Sequence, residues 1–183
     1  MLHPLEIPSV FTPDECRRII AAARDGEFED AALVGGVRSD HARRSRLFWL
    51  DEENESAWTF RRLLDTFARA NREHFEFALE EFAERMQVAW YGGETGGFFD
   101  WHVDSGDGPT AARRKLTMVV QLSEDGGYEG GNLETNADGV IRQASRQIGS
   151  ALCFPSFMLH RVTPVTQGER YSLTLWAHGP AFR

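Results

Sequence analysis

The stretch FFDWHVDSG, residues 98–106, sets His102 and Asp104 one residue apart among bulky apolar neighbours. In an extended strand residues i and i+2 project to one face, so the imidazole and the carboxylate would stand side by side. An aspartate inside an apolar strand is costly unless it is paired, hydrogen-bonded or bound to a metal. A second histidine in a strand-like segment, His160, is placed to complete a face of three ligands. Two imidazoles and one carboxylate on one side of an octahedral ion leave about three positions open. That set suits iron(II) that must take a bidentate cosubstrate and dioxygen. It matches structural zinc poorly, because such zinc closes its tetrahedron with protein ligands and favours cysteine.

His-x-Asp alone is a short pattern that chance supplies in many strands. Arg170 adds weight. It follows His160 across the segment PVTQGE, where Pro164 and Gly168 supply turn chemistry. The expectation is that Arg170 opens the next strand, beside that of His160 or close to it. An arginine aimed into a barrel mouth needs an anion, and its planar fork matches a carboxylate. Ser172 shares its face and adds a hydroxyl. The competing reading pairs Arg170 with an acidic neighbour such as Glu169 or Asp125. His3, His41, His74 and His178 read as solvated or packed side chains. Arg43, Arg44, Arg46, Arg113 and Arg114 have two readings: attraction of an acidic or carboxylate-bearing substrate, or solvated charge balancing 28 acidic residues.

These residues need elements to hold them. In FTPDECRRIIAAA, Thr12 is a helix N-cap, Pro13 takes the first helical position and Glu15 completes a capping box. Phe11 and Cys16 stand at staple positions, and Ile19, Ile20 and Ala23 give the buried stripe. DGEFEDAALVGG reads as a turn and a strand-like edge, and RRSRLFWL, residues 43–50, as a strand. A long helix is expected from about Trp58 to Asn71 or beyond, with Phe60, Leu64, Phe67 and Phe75 at helical spacing and Arg61, Arg62 and Arg69 on the wet side. After Glu84 come about eight short runs rich in β-branched and aromatic residues, separated by Gly, Pro, Asn and Asp clusters. The chain therefore reads as one α+β, mainly β unit over 1–183: a helical support, 1–84, and a jelly-roll core, 85–183. The loop SGDGPTAARR, 105–114, lacks apolar anchors and is a candidate lid.

The 183 residues, 42% hydrophobic, suit a single domain with a proper core. A net charge of −8 disfavours strong electrostatic binding to nucleic acid or to an anionic membrane. Cys16 and Cys153 lie in apolar settings and read as reduced and buried. With no secretory signal and no apolar run long enough to span a bilayer, the default location is the cytoplasm. No phosphate-binding loop or nucleophile elbow is present.

WHVDSG, YEGGNLE, FPSFMLHRVTPVTQGER and YSLTLW together resemble the prolyl 4-hydroxylase-like iron(II)/2-oxoglutarate dioxygenases, and most nearly their PKHD-type subgroup. The resemblance covers about residues 86–178, and HRVTPVTQGER is its most specific piece. It implies a double-stranded β-helix, or jelly roll, flanked by N-terminal helices. It implies Fe(II) bound by His102, Asp104 and His160, with Arg170 on the far carboxylate of 2-oxoglutarate. Ser172, Tyr91, Gln121 and Trp176 join the implied cosubstrate pocket; for the last three, plain core packing stands as the alternative. The implied reaction consumes 2-oxoglutarate and O2, with ascorbate as an optional support, and hydroxylates an unactivated C–H bond with release of succinate and CO2. Its substrate would be a prolyl or other amino-acid residue, free or in a peptide. Other readings stay open: a metal-binding jelly-roll module without turnover, an oxygenase acting on nucleobases or another metabolite, and a zinc hydrolase. The oligomeric state is not legible.

Overall fold

The computed structural model describes residues 3–26, 28–30 and 42–182. His41 and the 31–36 part of the expected strand-like edge lie outside the described residues. The strands in chain order are β1 (Leu5–Ile7), β2 (Phe28–Asp30), β3 (Arg43–Arg44), β4 (Arg46–Leu50), β5 (Met86–Gly92), β6 (Phe98–His102) and β7 (Arg114–Gln121). They continue as β8 (Tyr128–Gly130), β9 (Leu133–Asn136), β10 (Ile141–Gln143), β11 (Ala151–Pro155), β12 (Leu159–Val162) and β13 (Val165–His178). The α-helices are α1 (Pro13–Arg24) and α2 (Ala57–Ala70).

Among the described residues the strands form two antiparallel sheets. The larger runs β1-β11-β7-β13-β5-β4-β2, with β8 paired to β13 off that path; the smaller runs β10-β9-β12-β6-β3. One face of the larger sheet is turned to the smaller one, and Ala89, Tyr91, Val119 and Phe154 meet Leu133 and Val162 between them. Its other face is covered by the helices, where Val88, Met118, Leu173 and Leu175 pack with Ile19, Ala23, Leu63 and Phe67. This is the jelly roll that the sequence resemblance implies.

Helix α1 starts as its residues dictate. The Glu15 N–H donates to Thr12 Oγ1 at 3.2 Å, and the Thr12 N–H donates to Glu15 Oε2 at 2.8 Å. In α2 the buried position is Leu63, where the sequence spacing favours Leu64. Reading Thr59, Leu63, Thr66, Phe67 and Ala70 as the buried stripe restores the 3.6 period, with two threonines inside it. A π turn, Asn71–Phe75, then ends the helix. The first half is less purely helical than its sequence reads, because β1, β2 and β4 extend the larger sheet and β3 the smaller. The 105–114 loop is also better tied than expected. Ala111 is buried, the Ser105 N–H donates to the Ser156 carbonyl, and Arg113 pairs with Glu80.

Candidate metal centre

His102 and His160 face each other directly across the β6–β12 ladder. The next pair, Val162 with Phe99, spans two residues on β12 and three on β6. Such a bulge re-aims side chains. Here it turns Phe99 and His102 to the same side, ring centroids 3.4 Å apart and 14° from parallel. β6 stops at His102, so Asp104 is not the in-strand i+2 partner that the spacing implies. Asp104 sits in the following bend, its N–H donating to the Ser156 carbonyl at 2.8 Å. The bend, rather than the pleat, brings the carboxylate to the two rings.

The ligand atoms of His102, Asp104 and His160 all lie within 4.8 Å of one another. His102 Nε2 is 3.6 Å from Asp104 Oδ1, and His160 Nε2 is 3.6 Å from Asp104 Oδ2. Those distances are too long for hydrogen bonds, so the three groups do not satisfy one another and leave space for a shared cation. Nδ1 of His102 lies 2.7 Å from the Asp100 carbonyl, and Nδ1 of His160 lies 2.9 Å from the Met158 carbonyl. A carbonyl only accepts, so Nδ1 carries the proton in both rings and each Nε2 keeps its lone pair for a metal. Burial, helped by the neighbouring His160, pushes His102 down to about 3, which keeps its ring neutral. Burial works to raise Asp104, but His160, His102 and hydrogen bonds from Trp176 and Thr117 outweigh it and hold the carboxyl below its ordinary value. Two imidazoles and one carboxylate, with no thiolate beside them among the described residues, form a donor set that fits iron(II).

The outer partners are as well defined as the ligands. Asp104 Oδ2 accepts from Thr117 Oγ1 at 2.7 Å and from Trp176 Nε1 at 3.0 Å. Arg114 donates to the Asp104 carbonyl at 3.0 Å and lies over the Trp176 ring, 4.1 Å from its centroid. Glu84 anchors Arg114 at 2.6 Å and sits 2.9 Å from Nε2 of His178, which is fully buried. Among these, sequence reasoning missed Thr117 and the role of Arg114. A threonine inside KLTMVVQL was the available signal: a lone hydroxyl in an apolar strand needs a partner.

Arg170 is not on a strand beside that of His160. It lies in β13, in the larger sheet, and reaches the interior from the opposite wall. The sequence alternatives for its partner fall away, because Glu169 pairs with Arg24 and Asp125 with Arg146. Arg170 is 2% exposed, its Nη1 donates to Ser172 Oγ at 3.3 Å, and its Nε is buried with no hydrogen-bond partner among the described residues. A buried, incompletely bonded guanidinium is expensive unless an anion arrives, so it fits the far carboxylate of 2-oxoglutarate. Tyr91, opposite Arg170 in the β5–β13 ladder, puts its ring centroid 5.6 Å from the guanidinium. Gly131 sits close behind. At its positive φ, a Cβ would meet Arg170 Cδ at 3.0 Å, so a bare backbone lets the arginine pass. Tyr91 and Ser172 thus both adjoin Arg170, one by its ring and the other by its hydroxyl. Gln121 also borders Arg170, but its amide is spent on Tyr128 Oη and the Ser123 carbonyl. Trp176 lines the cavity and gives its indole N–H to Asp104. A cavity of about 440 Å³ opens onto the site, lined by His102, Asp104, His160, Tyr91, Ser172 and Arg43 among others.

Comparison with known proteins agrees with this geometry. The model of the 2OG-Fe(II) oxygenase superfamily matches residues 86–178, and the chain belongs to that family. It is a dioxygenase that uses Fe(II), 2-oxoglutarate and O2. Among its relatives is a PKHD-type hydroxylase of Shewanella sp. strain ANA-3, 30% identical over 179 residues, covering 94% of this chain and 76% of that one. Another, from Pseudomonas fluorescens Pf-5, is 28% identical over 177 residues with the same coverage. Within the superfamily the chain is thus of the PKHD-type hydroxylase kind. In fold it is similar to a Pseudomonas putida prolyl-4-hydroxylase, with a TM-score of 0.76 at 24% identity over 97% of this chain and 93% of that one. It is also similar to a Trichoplax adhaerens prolyl hydroxylase solved with a peptide fragment of hypoxia inducible factor, with a TM-score of 0.78 at 20% identity over 96% and 83%. No described helix is long and apolar enough to cross a membrane.

Proposed function

We propose that His102, Asp104 and His160 hold the ferrous ion, and that Arg170, with Ser172 and Tyr91, grips the far carboxylate of 2-oxoglutarate. The whole chain acts as one domain, in the cytoplasm, and hydroxylates an unactivated C–H bond of a prolyl or other amino-acid residue, free or in a peptide. Succinate and CO2 leave as coproducts. The observation that carries this reading is the pair of Nε2 lone pairs aimed at one carboxylate, facing a buried arginine that lacks an anion. The amino-acid substrate class rests on the prolyl hydroxylases that share the fold.

When bound, the iron activates dioxygen at the expense of 2-oxoglutarate; the chain's own part is binding and orientation. The Asp100 and Met158 carbonyls fix the ring tautomers. Thr117 and Trp176 pin one oxygen of Asp104 and leave Oδ1 without a donor among the described residues. Phe99 and Phe154 flank the histidine rings with apolar surface and keep bulk water away.

The test is anaerobic addition of Fe(II) and 2-oxoglutarate, read by the visible charge-transfer band of the chelate, followed by a screen of amino acids and proline-containing peptides for succinate. His160→Ala is expected to abolish the band. Arg170→Ala is expected to raise the 2-oxoglutarate Kd about 100-fold, since it removes one partner of a buried charge pair. A wild-type protein that binds iron but forms neither the band nor succinate would overturn the reading in favour of a module without turnover.

A further inference from the structure

The five arginines singled out in the sequence part company in the structure. Arg113 pairs with Glu80 and Glu81, and Arg114 with Glu84. Arg44 donates to the Thr95 carbonyl and lies over Phe98. Arg46 lies over Phe28 and Trp90, on the outside of the sheet. Arg43 differs. It is 8% exposed, and it lines the same cavity as the metal cluster. Cross-strand pairing sets it against Phe99, and its guanidinium lies over that ring, 4.3 Å from the centroid. Phe99 is also the ring stacked on His102, so a single aromatic ring touches both the cation and the candidate ligand.

Among the described residues its hydrogen bonds are neutral and few. Nε donates to Ser45 Oγ at 2.7 Å, and Nη2 reaches Gln87 Oε1 at a long 3.4 Å. Nη1 has no partner among the described residues, and no described carboxylate pairs with this guanidinium. A sequestered arginine with neutral partners is costly, and a carboxylate that takes its fork in a bidentate grip relieves that cost. Gln87 is buried beside it and also lines the cavity, so its amide N–H group can complete such a grip. In the reading above the far carboxylate of 2-oxoglutarate goes to Arg170, so a second carboxylate is needed to answer this charge. Glu29, the other acid on the cavity wall besides Asp104, is exposed at the rim and accepts from the Trp49 indole at 3.3 Å.

We propose that Arg43, with Gln87, is the subsite for a carboxylate of the substrate, so that the preferred substrate is a small anion or a free C-terminus that presents its reacting carbon a few bonds from that carboxylate. This deepens the hydroxylase reading above and rests on it for the position of the reacting carbon. It explains why a buried arginine stands on the inner wall of this cavity. It also sets direction: a substrate held at Arg43 approaches the metal face alongside Phe99.

The experiment uses two matched probes, N-acetyl-L-proline and N-acetyl-L-prolinamide, and two proline-ending peptides with free and amidated C-termini. Calorimetric titration into the iron-free protein saturated with 2-oxoglutarate reads the subsite without turnover; succinate release by the iron-loaded protein reads the same preference in catalysis. The acids are expected to bind about tenfold or more tightly than the amides. Arg43→Gln should reduce that ratio to about one, while Arg43→Lys keeps part of it and both leave the 2-oxoglutarate Kd unchanged. Equal handling of acid and amide, including no detectable binding of either, overturns the proposal, as does an acid preference that survives in Arg43→Gln. Failure of the ferrous chelate band with a normal acid preference would instead strike at the metal reading alone.

Discussion

The two faces of the larger sheet are built from the same strands and do different things. On β13, Tyr171, Leu173, Leu175 and Ala177 point to the helices, while Arg170, Ser172, Thr174 and Trp176 point to the smaller sheet. On β7 the alternation is Leu116, Met118 and Val120 against Thr117 and Val119, and on β5 it is Met86 and Val88 against Gln87, Ala89 and Tyr91. The helix side is a mainly apolar layer. The other side keeps buried polar groups and a cavity. A strand buried on both faces normally reads as a continuous apolar run; here every second residue faces the smaller sheet, where Ala89, Tyr91 and Val119 pack beside the polar groups of the site. Stability and chemistry are thereby separated by one residue along the chain, and substitutions at neighbouring positions should show it.

The sharpest contrast sets Asp104→Asn against Leu173→Ala. Leu173 is fully buried in the helix-side core, and its truncation should cost about 2–5 kcal/mol of unfolding free energy. The surviving folded protein should keep its affinity for 2-oxoglutarate. Asp104→Asn should remove iron binding and turnover altogether, yet cost the metal-free protein far less than Leu173→Ala does, because the Asn side chain fills the same volume and keeps an oxygen that can accept from Thr117 and Trp176. Denaturant melts beside iron titrations check both. If Asp104→Asn destabilised the apoprotein as much as Leu173→Ala does, the division between the faces would fail.

That division also explains what could be read from the sequence. Period-2 runs such as MQVAWY and KLTMVVQL announce strands, and the capping box of Thr12 and Glu15 announces α1, because those signals are local. Residue type and spacing suggested no more than a metal site at His102, Asp104 and His160; the iron and the role of Arg170 came from the family resemblance of the motifs around them. The arrangement was less legible. The bulge in β6, the bend that carries Asp104 and the placement of Arg170 on the opposite wall depend on pairing between distant strands, which no local pattern encodes. Trp176 was expected at the cosubstrate and was found on Asp104, since an indole in a strand reads the same whichever partner its N–H finds. Arg43 could not be told from Arg44 until pairing with Phe99 fixed which of the two faces inward.

A smaller effect tests how far the polar face is organised for the metal rather than for packing. Trp176→Phe keeps an aromatic ring under Arg114 but removes the N–H that holds Asp104 Oδ2. The expected result is about 10-fold to 100-fold weaker iron binding, as for other groups that orient a ligand, with a shift of the chelate band and little change in the unfolding midpoint. An unchanged iron affinity would make Trp176 a packing residue and move the boundary between the two faces.

The smallest effect comes from the residue next to Leu173. Ser172→Ala removes one hydroxyl beside Arg170, and a single neutral hydrogen bond of about 1 kcal/mol corresponds to roughly a fivefold rise in the 2-oxoglutarate Kd. The helix side should not register the change, and the cysteines report on that side. Cys16 and Cys153 are both free and fully buried in the helix-side layer, and burial pushes the Cys16 thiol up to about 12. At pH 8 neither thiol reacts until the core opens, because only the exposed thiolate is the nucleophile. Labelling by an aromatic disulfide therefore measures opening of the layer. Leu173→Ala should speed it by orders of magnitude, and Ser172→Ala should leave it within about twofold of wild type. Two adjacent residues on one strand would then answer to two different assays. A Ser172→Ala protein that labels as fast as Leu173→Ala would show instead that the faces share their stability, and that the polar side is part of the core it interrupts.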